Sequence, residues 1–160
     1  MTAQILDRTL PCFRIGDPAG IYPIFDATGS TIAPGRWNTP GSPVIYTSEH
    51  YSTALLEKLV HGSGRLPPNQ HYVQIMVPRG LSYEIFSQPS LPGWDMMPAK
   101  VSKEFGETWY VKRRSAILIV PSVVARLDNN VLINPTHPEF ALITASLHQP
   151  VYWDSRLFGS

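Results

Sequence analysis

Cysteine is nearly absent: Cys12 is the one thiol in 160 residues. No disulfide can close within the chain, and a reducing compartment is the expected setting. Cys12 lies beside Phe13 with no CxxC neighbour, so a buried filler is expected in place of a redox centre. An excess of either charge is also missing. The 13 Lys and Arg stand against 12 Asp and Glu, a formal net charge of +1. Without a basic patch there is no electrostatic case for direct nucleic-acid binding. The basic run from Lys112 to Arg114 reads as a solvated element end. No apolar run nears the ~18 residues that a membrane helix needs. The start, MTAQILDRTLPCFR, lacks the basic residues and long apolar core of a signal peptide. A cytoplasmic chain without membrane contact is expected.

Chemical signatures are missing as well. The His and Cys residues show neither HExxH nor zinc spacing, so no metal is expected. There is no P-loop and no GxSxG elbow. GSG at 62–64 follows a predicted helix, the wrong context for a dinucleotide-binding turn.

Proline and aromatics are what the chain has in quantity: 16 Pro, 4 Trp, 7 Tyr and 6 Phe. The prolines are scattered, which predicts many turns and short elements. The size and 43% hydrophobic content fit one domain over residues 1–160. Cys12 to Ile15 reads as a short strand, with Arg14 facing away from Phe13 and Ile15. Residues 17–43 form a long irregular stretch. Its Tyr22, Phe25, Ile32 and Trp37 argue for an ordered functional loop.

The stretch 35–62, GRWNTPGSPVIYTSEHYSTALLEKLVHG, organises the rest. Arg36 sits in a Gly/Pro-rich loop. Tyr46 ends a short buried strand over 43–47. Glu57 lies on a helix over 49–61, with Ser48 as expected N-cap and Gly62 just past the end. On a helical projection Tyr51, Leu55, Leu56 and Leu59 share one side. Glu57 and His61 share another, facing water or a cleft.

Strands are expected at 72–77 and 81–86, with Val73, Ile75 and Val77 on one face, then Leu81, Tyr83 and Ile85. A helix over 102–111 is weakened by Gly106. SAILIV at 115–120 is the strongest strand signal, followed by PS, a DNN turn and VLINP. Late strands are expected at 141–147 and 151–153. The mix predicts an α+β domain, a mixed sheet with flanking helices.

Each polar residue also has a structural reading. Glu57 can be solvated, Arg36 can pair a carboxylate, and Tyr46 can be core. Ser122 can cap a turn, His61 can complement a helix dipole, and Asn134 can form a turn. Trp94, Trp109 and Trp153 are assigned to core or interface.

In their order, GRWN, IYTS, ALLE, VPS and INPTHP resemble the RES-domain family, toxins of a toxin–antitoxin class named for an Arg, a Glu and a Ser. The resemblance runs from Phe13 to Phe140. It implies a compact, ADP-ribosyltransferase-like fold. It further implies a type II toxin that consumes NAD+ by hydrolysis or phosphorolysis, or transfers ADP-ribose to a protein. It places the family Arg at Arg36, the Tyr at Tyr46, the Glu at Glu57 and the Ser at Ser122. Arg14 and His61 match further recurrent polar positions.

The chemistry suits these roles. Cleavage of the nicotinamide–ribose bond passes through an oxocarbenium-like state that a carboxylate, Glu57, stabilises. Nicotinamide leaves from a pyridinium and needs no general acid. Arg36, helped by Arg14, matches pyrophosphate oxygens. Tyr46 can stack on a flat ring. Ser122 and Asn38 suit ribose or phosphate oxygens, and His61 could orient Glu57. NAD+ is thus substrate, with no separate cofactor. The resemblance also implies an antitoxin with an Xre-type helix-turn-helix domain on another chain, and a homodimer is compatible with it. The rival reading is a non-catalytic domain that binds a nucleotide or protein tail in the same cleft.

Overall fold

The computed structural model describes residues 3–159. Apolar residues at every second position build its sheet. The strands are β1 (Gln4–Ile5), β2 (Leu10–Gly16), β3 (Ile45–Ser48), β4 (His71–Val77), β5 (Ser82–Ile85), β6 (Ile117–Pro121), β7 (Asn129–Ile133), β8 (Thr144–Ala145) and β9 (Gln149–Pro150). They are ordered β1-β5-β6-β7-β3-β2-β4-β8, with β9 also on β4. The β5–β6 pair is parallel and the others are antiparallel, so the sheet is mixed. The helices are α1 (Gly29–Ile32), α2 (Tyr51–Val60) and α3 (Lys100–Val111).

One joint in the sheet is narrow. β2 and β4 pair along the whole of β2, but β2 and β3 meet at one register position, Phe13 opposite Ser48. The two halves of the sheet therefore part along a seam beside β3.

Each face carries its own core. On one face Cys12, Ile45, Val73, Ile75, Ile117, Ile119, Val131 and Ile133 pack with Ile24, Phe25 and Phe140. On the other, Leu118, Val120 and Leu132 pack beneath Trp37, Phe86, Trp94 and Trp109. Trp109 brings α3 to this face, and Tyr51 brings α2, its ring edge-on to Phe13 and Tyr72. Gly106 explains how closely α3 approaches. A Cβ there would stand 1.8 Å from the carbonyl oxygen of Trp37.

Several expectations are corrected. Ser48 ends β3 and is no N-cap; its hydroxyl donates to Asn130, and α2 starts at Tyr51 after His50, without a side-chain cap. Of the apolar side of α2, Tyr51 packs on the sheet while the leucines turn to a groove. Thr53 and Ala54 are its buried residues, while Leu55, Leu56 and Leu59 line a groove of ≈ 360 Å³ with Tyr152, Trp153 and Leu157. At β5 Leu81 and Tyr83 pack with the first core as expected, but Ile85 is exposed and Ser82 and Glu84 are buried as well.

Those buried polar groups are paired. Arg114 meets Glu84 at 3.0 Å, so the basic run is only partly solvated. Ser82 donates to Glu139 and accepts from the Ala116 amide. The late strands shrink to β8 and β9. Pro138–Leu142 is a 3₁₀ helix that occupies the start of the expected 141–147 strand, and Val151 to Trp153 is not a strand. Among the described residues no helix is long and apolar enough to cross a membrane.

Candidate functional site

Strand β3 brings two polar clusters to one face. Tyr46 and Ser48 are two residues apart, so both side chains point to the same side of the sheet, roughly 7 Å apart along the strand. Across β7 they stand opposite Leu132 and Asn130.

The first cluster surrounds Glu57. Residue 57 follows Thr53 and Ala54 by one turn, which carries its carboxylate to the sheet side of α2. Its Oε1 accepts from Ser122 Oγ at 2.8 Å and from Asn130 Nδ2 at 3.2 Å. Asn130 Oδ1 in turn accepts from Ser48 Oγ at 2.8 Å. Ser122 is fully buried, and its oxygen also accepts from the Ala125 amide at 3.0 Å. The cap reading and the Glu57 contact therefore hold together for Ser122. Among the described residues Oε2 of Glu57 has no hydrogen-bond partner.

The second cluster is the loop before β3. Tyr46 Oη donates to Asn38 Oδ1 at 2.7 Å and accepts from the Trp37 amide at 3.1 Å. Burial pushes the Tyr46 phenol above its ordinary range, against a lowering by the backbone amides of Trp37 and Asn38 and by the charge of Arg36. Gly35 packs on the ring, where an added Cβ would lie 2.5 Å from Tyr46 Cζ. Asn38 is buried and its amide is fully engaged, accepting from the Gly35 amide and Tyr46 and donating to the carbonyls of Ser30 and Thr39. It braces the loop.

Arg36 reaches across to the 94–97 segment. Its guanidinium donates to the carbonyls of Trp94 at 3.1 Å and Met96 at 2.8 Å, and to Met97 Sδ at 3.3 Å. Arg126 fastens the same segment through Asp95 at 2.9 Å and lies over the Trp94 ring. The hydrogen bond from Arg126 is the main reason that the Asp95 carboxyl is held below its ordinary range.

Arg14 closes the seam. Its Nε donates to the carbonyl of Ile24 at 2.6 Å and its Nη1 to that of Tyr46 at 2.9 Å. Burial opposes its charge, and likewise that of Lys58, which also feels the charge of Arg14. Among the described residues Arg14, Arg36 and Lys58 have no ion pair.

Arg36, Tyr46, Glu57 and Ser122 thus lie around one face of the sheet, with Arg14 at the seam behind Tyr46. His61 is not brought in. It ends α2, exposed, its side chain without a hydrogen bond or ion pair among the described residues. Asn130 and Lys58 escaped sequence reading. Asn130 was hidden in DNN, read as a turn; an Asn opening a strand, where Asn is disfavoured, is the signal that marks it. No group of three or more His, Cys, Asp or Glu among the described residues is placed to hold a metal ion.

A family model described as "RES domain" matches residues 11–154. A protein of Sphingobium sp. (strain YBL2) named "Prs ADP-ribosylating toxin" is 38% identical over 156 residues, 93% of this chain and 97% of its own length. A protein of Photorhabdus laumondii subsp. laumondii named "Toxin Res" is 32% identical over 131 residues, 80% of this chain and 83% of its own. A chain from the crystal structure of the M. tuberculosis MbcT–MbcA toxin–antitoxin complex superposes with a TM-score of 0.71 at 13% identity. The match covers 91% of this chain and 85% of that one. At this identity the likeness concerns the fold, and it agrees with the expected α+β, mixed-sheet class.

Proposed function

This chain belongs to the RES-domain family, and on that premise we propose that it is the toxin of a toxin–antitoxin system that cleaves the nicotinamide–ribose bond of NAD+. The observation that carries the reading is the state of Glu57. Its Oε1 is held by two donors, and Oε2 is without a partner among the described residues. A carboxylate fixed at one oxygen can offer the other to a ribose hydroxyl and to the positive charge that develops on the sugar.

In the step itself the C1′–N bond breaks and its electron pair returns to the nicotinamide nitrogen. The released nicotinamide is neutral, so no proton donor is needed. The acceptor then bonds to C1′ and loses a proton. Arg36 and Arg14 supply fixed positive charge for the pyrophosphate, with Lys58 beside Arg14. For Arg36 this means exchanging the Trp94 and Met96 carbonyls for substrate oxygens. The Tyr46 ring offers a stacking surface while its hydroxyl stays with the loop.

The name of the Sphingobium relative favours a second reading, transfer of ADP-ribose to a protein. An antitoxin is the expected partner, by analogy with the M. tuberculosis complex, and an Xre-type helix-turn-helix chain is the form proposed. The test is nicotinamide release from NAD+ by the purified chain. Release in buffer alone indicates hydrolysis, release dependent on phosphate indicates phosphorolysis, and release with a labelled acceptor indicates transfer. Glu57→Gln keeps shape and removes charge, so turnover should fall by at least ~10³-fold while the fold remains. NAD+ left intact under every condition by folded protein sinks the enzymatic reading in favour of a binding domain.

A further inference from the structure

Asn130 lies outside the five motifs that carry the family resemblance, yet it touches the Glu57 carboxylate. We propose that Asn130 is a positioning residue for Glu57, and that Ser48 decides which end of its carboxamide faces the acid. The inference rests on the reading of Glu57 as the group that meets the ribose.

A carboxylate only accepts hydrogen bonds. The Asn130 atom 3.2 Å from Glu57 Oε1 is therefore the amide nitrogen. The amide oxygen must point the other way, where Ser48 Oγ donates to it at 2.8 Å. Ser48 is 3% exposed, so little water competes for its hydroxyl. Ser48, Asn130 and Val120 stand side by side across β3, β7 and β6. The hydrogen-bond chain runs along this row of the sheet and rises onto α2.

Ser122 approaches the same oxygen at 2.8 Å, anchored by the Ala125 amide. Two donors on Oε1 fix the carboxylate plane before substrate arrives and leave Oε2 to act. Neighbouring ionisable groups are occupied elsewhere. Asp128 takes the Thr53 hydroxyl at 2.6 Å and lies 3.5 Å from His50, and Glu49 accepts from Asn129 at 3.3 Å. Lys58 points toward the seam, where Arg14 and Asp17 act on it.

The test is NAD+ kinetics of the full chain, under whichever acceptor condition supports turnover. Asn130→Asp keeps the shape but sets a second carboxylate against Glu57. Two like charges at this distance hold a proton more tightly, so the acid limb of the kcat profile should rise by about one pH unit or more. A merely structural Asn would not move that limb. Asn130→Ala should lower kcat about tenfold or more, the scale of one charge-assisted hydrogen bond, with little change in KM. Ser48→Ala frees the amide to flip and should lower kcat several-fold.

An Asn130→Asp variant with wild-type kcat and pH profile overturns the inference. If the Asn130 variants do not fold, Ser48→Ala decides, and wild-type kinetics there overturn it. The underlying reading fails separately. Turnover retained by Glu57→Gln refutes the role of Glu57, and no turnover by the wild-type chain refutes both.

Discussion

Replacing Gly106 by Ala should destabilise this protein, the reverse of what a helical glycine ordinarily does. On helix propensity alone the change gains ~1 kcal/mol. At this position the added methyl would lie 1.8 Å from the Trp37 carbonyl oxygen, 2.9 Å from its carbonyl carbon and 3.3 Å from its Cα. Ordinary contact begins at 3.4 Å, so the helix or the loop must retreat by 3.4 − 1.8 = 1.6 Å. Trp37 meets the methyl with backbone, which no rotamer change can remove. Retreat also loosens the Trp37 ring against Phe86 and Phe105, now at centroid distances of 4.8 and 6.3 Å.

Overpacking with lost aromatic contact outweighs the propensity gain, and a net loss of ~2–3 kcal/mol is expected. For a domain of this size that lowers Tm by about 4–12 °C. Calorimetry and urea melts in a Glu57→Gln background measure it without toxicity. Because Arg36 precedes Trp37, the same substitution in active protein should raise KM for NAD+. A Gly106→Ala chain as stable as its parent, or more so, would refute the close approach and the anchoring of Arg36 through it.

Two further outcomes follow from the same packing. Tyr46→Phe keeps the ring but leaves the Trp37 amide without its acceptor and Asn38 without one donor; urea melts should show a loss of ~1–3 kcal/mol, and KM for NAD+ should rise more than kcat falls. Burial pushes the Cys12 thiol up to about 12 from 9.0. The unfolded chain then releases this proton first, so the stability contributed below pH 9 is lost as pH rises toward the folded value, by ~1.4 kcal/mol per unit. Between pH 8 and pH 10 the urea stability of wild type should therefore drop more than that of Cys12→Ala, and equal drops would show that the thiol is not withheld from ionisation.

The elements nearest the site were legible in sequence because their signals are local. PVIYT is short, apolar and followed by helix formers, and SAILIV is apolar throughout. Both are strands within a residue or two of the expected bounds. The faces were harder to read. At β5 the apolar residues alternate as though Ile85 faced inward with Leu81 and Tyr83, but Ile85 is exposed, and Arg114, distant in sequence, pairs a buried Glu84 on the other side. Helix α2 shows the same limit. Its leucines share a side, yet the sheet beneath offers Ser48, Ser122 and Asn130, so the helix turns Glu57 inward and leaves its leucines to the C-terminal segment.

From sequence alone the chain determined its class, its family resemblance and four of the groups gathered on one face, Arg36, Tyr46, Glu57 and Ser122. Composition, periodicity and motif order are properties of the chain itself, and these suffice for that much. The tertiary structure decided which groups stand free and which are spent. Asn38 is consumed by its loop, His61 is left outside, Asn130 is drawn in, and Glu57 is gripped, among the described residues, at one oxygen. Such choices depend on donors and acceptors brought together from residues 48, 57, 122 and 130. Hydrogen-bond satisfaction between residues so far apart in sequence exists only once the sheet has set their register.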